Sequence, residues 1–109
     1  KKIINYNGCI YFISSIAAIK PEIGNAYYAL SKNALNFASK ILYLEQKKRS
    51  IRVNTILLGL IKNKMGNNLI DTLPLIKKNK LKFSKVDDII KKIKKLLKDK
   101  KISGKTIKL

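Results

Sequence analysis

The chain has 109 residues, enough for one small domain with one core, and a multidomain assembly is excluded. Apolar residues at 46% and charged residues at 28% give a globular balance and exclude a disordered polar tract. The formal net charge of +19 raises polyanions as partners, yet Lys outnumbers Arg 23 to 2, whereas phosphate and base readers lean on the bidentate Arg fork. Lys, Ile and Asn are enriched together, the pattern an AT-rich coding bias leaves on a tolerant surface, so nucleic acid is the lesser reading. No apolar run nears the roughly 20 residues that span a bilayer, and Lys1-Lys2-Ile3-Ile4-Asn5 lacks the apolar centre of a secretory leader. A soluble, cytoplasmic protein without a membrane partner is expected. Cys9 alone forms no intrachain disulfide, and with no His neither a zinc nor a haem site is expected. The first residue is Lys, from which a processed chain or the downstream part of a longer one is expected.

In chain order, residues 8–15 form a continuous apolar run between Gly8 and the Ser14-Ser15 pair, the pattern of a buried strand. Pro21 makes residues 16–23 a loop. Over 25–45 the apolar positions Leu30, Ala34, Phe37, Ala38, Ile41 and Leu42 fall on one face of a helix, the face expected to meet the core. Residues 51–58, ending at Gly59, read as a second buried strand, and 60–83 as a long loop with one short helix near 64–73. Ser84-Lys85-Val86-Asp87 has the spacing of a capping box, which predicts a helix starting there. Its apolar stripe is Val86, Ile89, Ile90, Ile93, Leu96 and Leu97, and its lysines are a solvated face. After a turn at Ile102-Ser103-Gly104, residues 106–109 begin a third strand. Strand, helix, strand, helix, strand predicts an α/β fold with a parallel sheet and right-handed crossovers.

Chemistry concentrates in Tyr28-Ala29-Leu30-Ser31-Lys32, which sets a phenol and an ammonium one turn apart on a helix. A cation beside a phenol favours the phenolate, as an acid/base tyrosine requires. Helical angles place the pair opposite the Leu30, Ala34, Phe37 stripe. Ser15 ends the first strand, at the carboxyl edge where open α/β sheets bind ligands, and its hydroxyl can polarise a carbonyl. A Tyr and a Lys four apart arise readily in a lysine-rich helix, so the surrounding order carries the specificity. Phe12-Ile13-Ser14-Ser15, Tyr28 thirteen residues after Ser15, Ile51-Arg52-Val53-Asn54, Leu58-Gly59-Leu60-Ile61, Asp87-Asp88-Ile89 and Ile102-Ser103-Gly104-Lys105-Thr106 follow in sequence. This series resembles the downstream half of the short-chain dehydrogenase/reductase family, with spacing most similar to the 3-oxoacyl-acyl-carrier-protein reductases.

The resemblance implies the carboxyl-terminal half of a Rossmann-like doubly wound sheet and an NAD(P)-dependent oxidoreductase interconverting a carbonyl and an alcohol. By the same resemblance the cofactor is NADPH or NADH, the substrate is a small carbonyl or alcohol, with a carrier-protein-linked 3-oxoacyl thioester of fatty acid biosynthesis as one candidate, and the protein is a homo-oligomer. It assigns Tyr28 as the proton donor, Lys32 as its activator and a ribose contact, and Ser15 as the substrate-carbonyl contact. Gly59, Ile61 and Asn63 match the segment along the nicotinamide, and Asn54 matches a structural brace. The family's Pro before the glycine is Leu58 here, and its Thr after the Ile is Asn63. The glycine-rich dinucleotide loop, the ribose selector and the catalytic Asn of the family would precede the first strand, so residues 1–109 are expected to be the catalytic part of one domain, inactive alone. A non-catalytic remnant of such an enzyme and a basic nucleic-acid-associated protein are the alternative readings.

Overall fold

The computed structural model describes residues 7–60 and 84–109. Strand β1 (Cys9–Ser15) runs into a single 3-10 turn at Ile16–Ala18, and helix α1 (Ala26–Gln46) follows. After a second 3-10 turn, Ser50 in the left-handed conformation reverses the chain into β2 (Arg52–Leu58). Helix α2 (Val86–Lys98) and the three-residue β3 (Thr106–Lys108) complete the described part. The sheet has the order β1-β2-β3 with both pairs parallel, so the α/β class and the element order agree with the sequence reading. The proposed short helix near 64–73 lies outside the described residues.

Central position explains why β2 is the most buried strand. It has neighbours on both edges and helices on both faces, and Val53, Ile56 and Leu57 are at most 1% exposed. Each contributes roughly 1.5–3 kcal/mol by burial. Side chains alternate along a strand, so the register sorts them by face. Ser14 and Thr55 face α1, where Ser14 Oγ donates to the Lys32 carbonyl at 3.2 Å and Thr55 Oγ1 donates to Ser39 Oγ at 2.6 Å. Tyr11 and Asn54 face the other way, and the Tyr11 hydroxyl donates to the Leu96 carbonyl near the end of α2. The two helices thus cover opposite faces of the sheet. Since β3 lies beyond β2 in the direction of the first strand step, the two crossovers have opposite hands. Right-handed connection throughout, expected from the general rule, does not hold. That rule applies to helices packed straight back from their strand, whereas residues 59–85 separate β2 from α2.

Two local expectations are corrected. Ser84 does not cap α2: its amide donates to the Leu60 carbonyl at 2.9 Å, which ties the chain's departure from β2 to its return. Lys85 occupies the cap position without a side-chain bond, and Asp87 and Asp88 in the first turn favour the positive end of the helix dipole instead. On α1 the apolar stripe faces out: Leu30 is 69% exposed and Phe37 64%, while Asn36 and Ser39 are buried against the sheet. The inward face runs through Ala29, Lys32, Leu35, Asn36, Ser39 and Tyr43. On this face the buried Thr55 hydroxyl finds a side-chain partner in Ser39, which the apolar stripe lacks.

Candidate active site

Tyr28 and Lys32 stand in the first two turns of α1, on the flank that turns toward the carboxyl end of β1. The sequence reading set them away from the core-facing stripe. The pair does lie opposite that stripe, but the stripe is the outward face, so Lys32 is half-buried on the inward one. Its Nζ donates to the Ile13 carbonyl at 3.4 Å and lies 5.8 Å from the centroid of the Tyr28 ring, within cation–π range. The ammonium therefore has a fixed address between a strand carbonyl and the phenol. Tyr28 is 39% exposed, so its hydroxyl is accessible to a ligand. The Tyr28 carbonyl accepts from Ser31 Oγ at 2.7 Å, within the same turn.

Ser15 is the last residue of β1. Its Oγ accepts the Ala17 amide at 3.1 Å, capping the 3-10 turn, and among the described residues its own proton has no acceptor. A hydroxyl held through its oxygen with its proton free is an oriented donor. Asn33 Nδ2 donates to the Ala18 carbonyl at 3.0 Å, so α1 also grips the loop that follows Ser15. Leu58 pairs with Ser15 in the sheet register, which brings Gly59 to the same edge. A Cβ on Gly59 would stand 3.1 Å from Ile16 Cδ1, so a side chain there would press on the loop beside Ser15. Ile61 and Asn63 lie outside the described residues. Among the described residues no group of His, Cys, Asp and Glu gathers to hold a metal.

Ser15, Tyr28, Lys32 and Gly59 thus share one end of the sheet, the carboxyl edge that binds ligands in open α/β folds. They supply two hydroxyls, an ammonium and a bare stretch of backbone. That set fits the hydroxyls and amide of a nicotinamide nucleoside and a carbonyl beside it. Sequence reasoning missed Ser14, Asn33 and the Ile13 carbonyl, which hold this arrangement. The adjacent serines were the only trace of Ser14, and nothing in the sequence pointed to a backbone carbonyl.

A family model described as short chain dehydrogenase matches residues 3–74. The chain is 42% identical over 62 residues to the human dehydrogenase/reductase SDR family member 4, covering 57% of this chain and 22% of that protein. It is 45% identical over 53 residues to 2,5-dichloro-2,5-cyclohexadiene-1,4-diol dehydrogenase LinX of Sphingobium indicum, covering 49% of this chain and 21% of LinX. The matched part is therefore about a fifth of the length of these curated relatives. Among solved structures, 4-hydroxyisoleucine dehydrogenase complexed with NADH superposes with a TM-score of 0.74 at 29% identity, over 94% of this chain and 44% of that one. A short chain dehydrogenase family protein from Francisella tularensis has a TM-score of 0.82 at 24% identity, over 96% of this chain and 50% of that one, and shows the fold alone.

Proposed function

Because the chain belongs to the short chain dehydrogenase family, we propose that it is the carboxyl-terminal, catalytic part of an oxidoreductase that interconverts a carbonyl and an alcohol with NADH or NADPH. The observation that carries this reading is the Lys32 ammonium, bonded to the Ile13 carbonyl and 5.8 Å from the Tyr28 ring, at the edge where the Ser15 hydroxyl accepts the Ala17 amide and, among the described residues, has no acceptor for its proton. A bound nicotinamide supplies the hydride. Ser15 donates a hydrogen bond to the substrate carbonyl and orients it. Tyr28 gives its proton to the carbonyl oxygen as negative charge develops there. Lys32 stabilises the phenolate left behind and donates to ribose hydroxyls, and Gly59 lines the nicotinamide side. The dinucleotide-binding half belongs upstream in this reading.

A 3-oxoacyl thioester, including one carried by acyl carrier protein in fatty acid synthesis, is the first substrate class to try, followed by small ketones. The proposed enzyme is cytoplasmic. Its association is homo-oligomeric, which the outward stripe Tyr27, Leu30, Phe37, Ile41 and Leu44 on α1 supports. In the complete enzyme, Tyr28→Phe is expected to lower kcat roughly 100- to 10,000-fold while cofactor binding stays nearly intact, since the ring keeps its place and only the proton is lost. Lys32→Ala is expected to weaken cofactor binding and rate together. Steady-state kinetics with cofactor binding measured separately make the comparison. A Tyr28→Phe enzyme with most of the wild-type kcat refutes the reading.

A further inference from the structure

We propose that Ser14 is a positioning residue of this site, fixing the roll of α1 so that Tyr28 and Lys32 meet Ser15; this rests on the reductase reading above. Ser14 is 2% exposed, on the strand face where Phe12, Val53 and Leu57 share its side of the sheet. A hydroxyl buried there requires a partner, and its partner is the main-chain carbonyl of Lys32 at 3.2 Å. Inside an α-helix that carbonyl already accepts the amide four residues on, so Ser14 uses its second lone pair. At the other end of the same residue, Lys32 Nζ reaches the Ile13 carbonyl at 3.4 Å. Lys32 is thus tied, backbone and side chain, to the two consecutive strand residues that precede Ser15.

The physical point is directionality. Apolar contact between a helix and a sheet is non-directional and resists rolling weakly, whereas a hydrogen bond falls off steeply with angle. Two hydroxyl bonds, beside the Lys32 Nζ bond to Ile13, register α1 on the sheet: Ser14 to Lys32, and Thr55 to Ser39 two turns further along the same face. The second lies away from Tyr28 and serves as an internal control. Without the first, the turn carrying Tyr28 and Lys32 is held only by the exposed 3.4 Å bond from Lys32 Nζ and by the Asn33 bond to the following loop, and a misplacement on the order of 1 Å costs about a hundredfold in rate.

The test uses the full-length enzyme with the best substrate from the ketone and thioester panel, comparing Ser14→Ala, Ser14→Cys, Ser14→Thr, Ser39→Ala and Tyr28→Phe. Expected are a kcat loss of roughly 10- to 100-fold in Ser14→Ala and Ser14→Cys with a rise in cofactor KM, because Lys32 also contacts the ribose, and recovery of both in Ser14→Thr, which keeps the hydroxyl. Ser39→Ala is expected to lower the melting temperature and leave kcat at the wild-type value. If Ser14→Ala fails to fold, Ser14→Cys, close in volume and a weak donor, decides. Wild-type kcat in Ser14→Ala and Ser14→Cys beside an inactive Tyr28→Phe overturns the Ser14 assignment alone, as does an equal kcat loss in Ser39→Ala. An active Tyr28→Phe overturns the reductase reading and the role of Ser14 with it.

Discussion

Replacing Asn54 is expected to cost more stability than any other single polar truncation in β2. Asn54 is 1% exposed, its Nδ2 donates to the Ile102 carbonyl at 3.0 Å, and its Oδ1 accepts the Lys105 amide at 3.1 Å. These bonds clamp the turn that delivers the chain from α2 to β3, a strand of only three residues whose own ladder is too short to define its register. In Asn54→Ala both bonds go, at about 1 kcal/mol each, and the Ile102 carbonyl is left half-buried without its donor, at about 1–2 kcal/mol more. Water reaches the Lys105 amide and offsets part of its loss, so the total is about 2–4 kcal/mol. Asn54→Asp separates the two bonds. It keeps an acceptor for Lys105 but sets a carboxylate against the Ile102 carbonyl in a site that excludes water. Burial raises that carboxyl's pKa above its unfolded value, so the protonated, donating form is favoured by folding, and the variant is expected to gain stability as pH falls from 7 toward 4. Urea unfolding followed by circular dichroism at several pH values measures both effects. An Asn54→Ala loss below about 0.5 kcal/mol, or an Asn54→Asp stability that is flat with pH relative to the wild type, would refute the clamp.

Gly104→Ala is expected to destabilise by roughly 2–4 kcal/mol, because φ is +70° and the added Cβ would stand 2.8 Å from the Tyr43 ring. In a Tyr43→Ala background the same change should cost only the backbone share, about 1–2 kcal/mol, and equal losses in both backgrounds in thermal melts would remove the steric part of the argument. Tyr11→Phe should cost about 1 kcal/mol by losing the bond to the Leu96 carbonyl. Burial pushes the Tyr11 phenol up, with Arg52 opposing, so its stabilisation is complete below pH 10 and lost as pH rises through the raised folded value. The gap between wild type and Tyr11→Phe should therefore be constant to about pH 10 and shrink above it, and a gap unchanged in strongly alkaline denaturation would count against this account.

How much was legible follows from which signals are local. Ile51 to Leu58 reads as a buried strand because five of its eight residues are apolar and fall on both faces, as a central parallel strand requires. The Ser15, Tyr28, Lys32 series is legible because its order among the neighbouring motifs resembles a known family, and the structure sets Lys32 between Tyr28 and the β1 carbonyl of Ile13, two residues before Ser15. The capping box at Ser84 failed because a competing partner, the Leu60 carbonyl, took the backbone group, and no local pattern reveals a strand end 24 residues away. The uniform handedness failed for a related reason, since strand order and helix side are relations between segments.

The sequence by itself determined the order of elements, the parallel sheet, and the pairing of a phenol with an ammonium one helical turn on, because periodicity and spacing are properties of short stretches of chain. Tertiary structure alone decided which face of α1 goes in. By hydrophobicity the stripe of Leu30, Phe37 and Ile41 should be buried, yet those residues are exposed and Asn36 and Ser39 are covered. The sheet presents the Thr55 hydroxyl, whose need for a side-chain partner, met by Ser39, is felt only once the helix lies on it. That choice of face is what turns Lys32 toward the Ile13 carbonyl and sets it beside Tyr28.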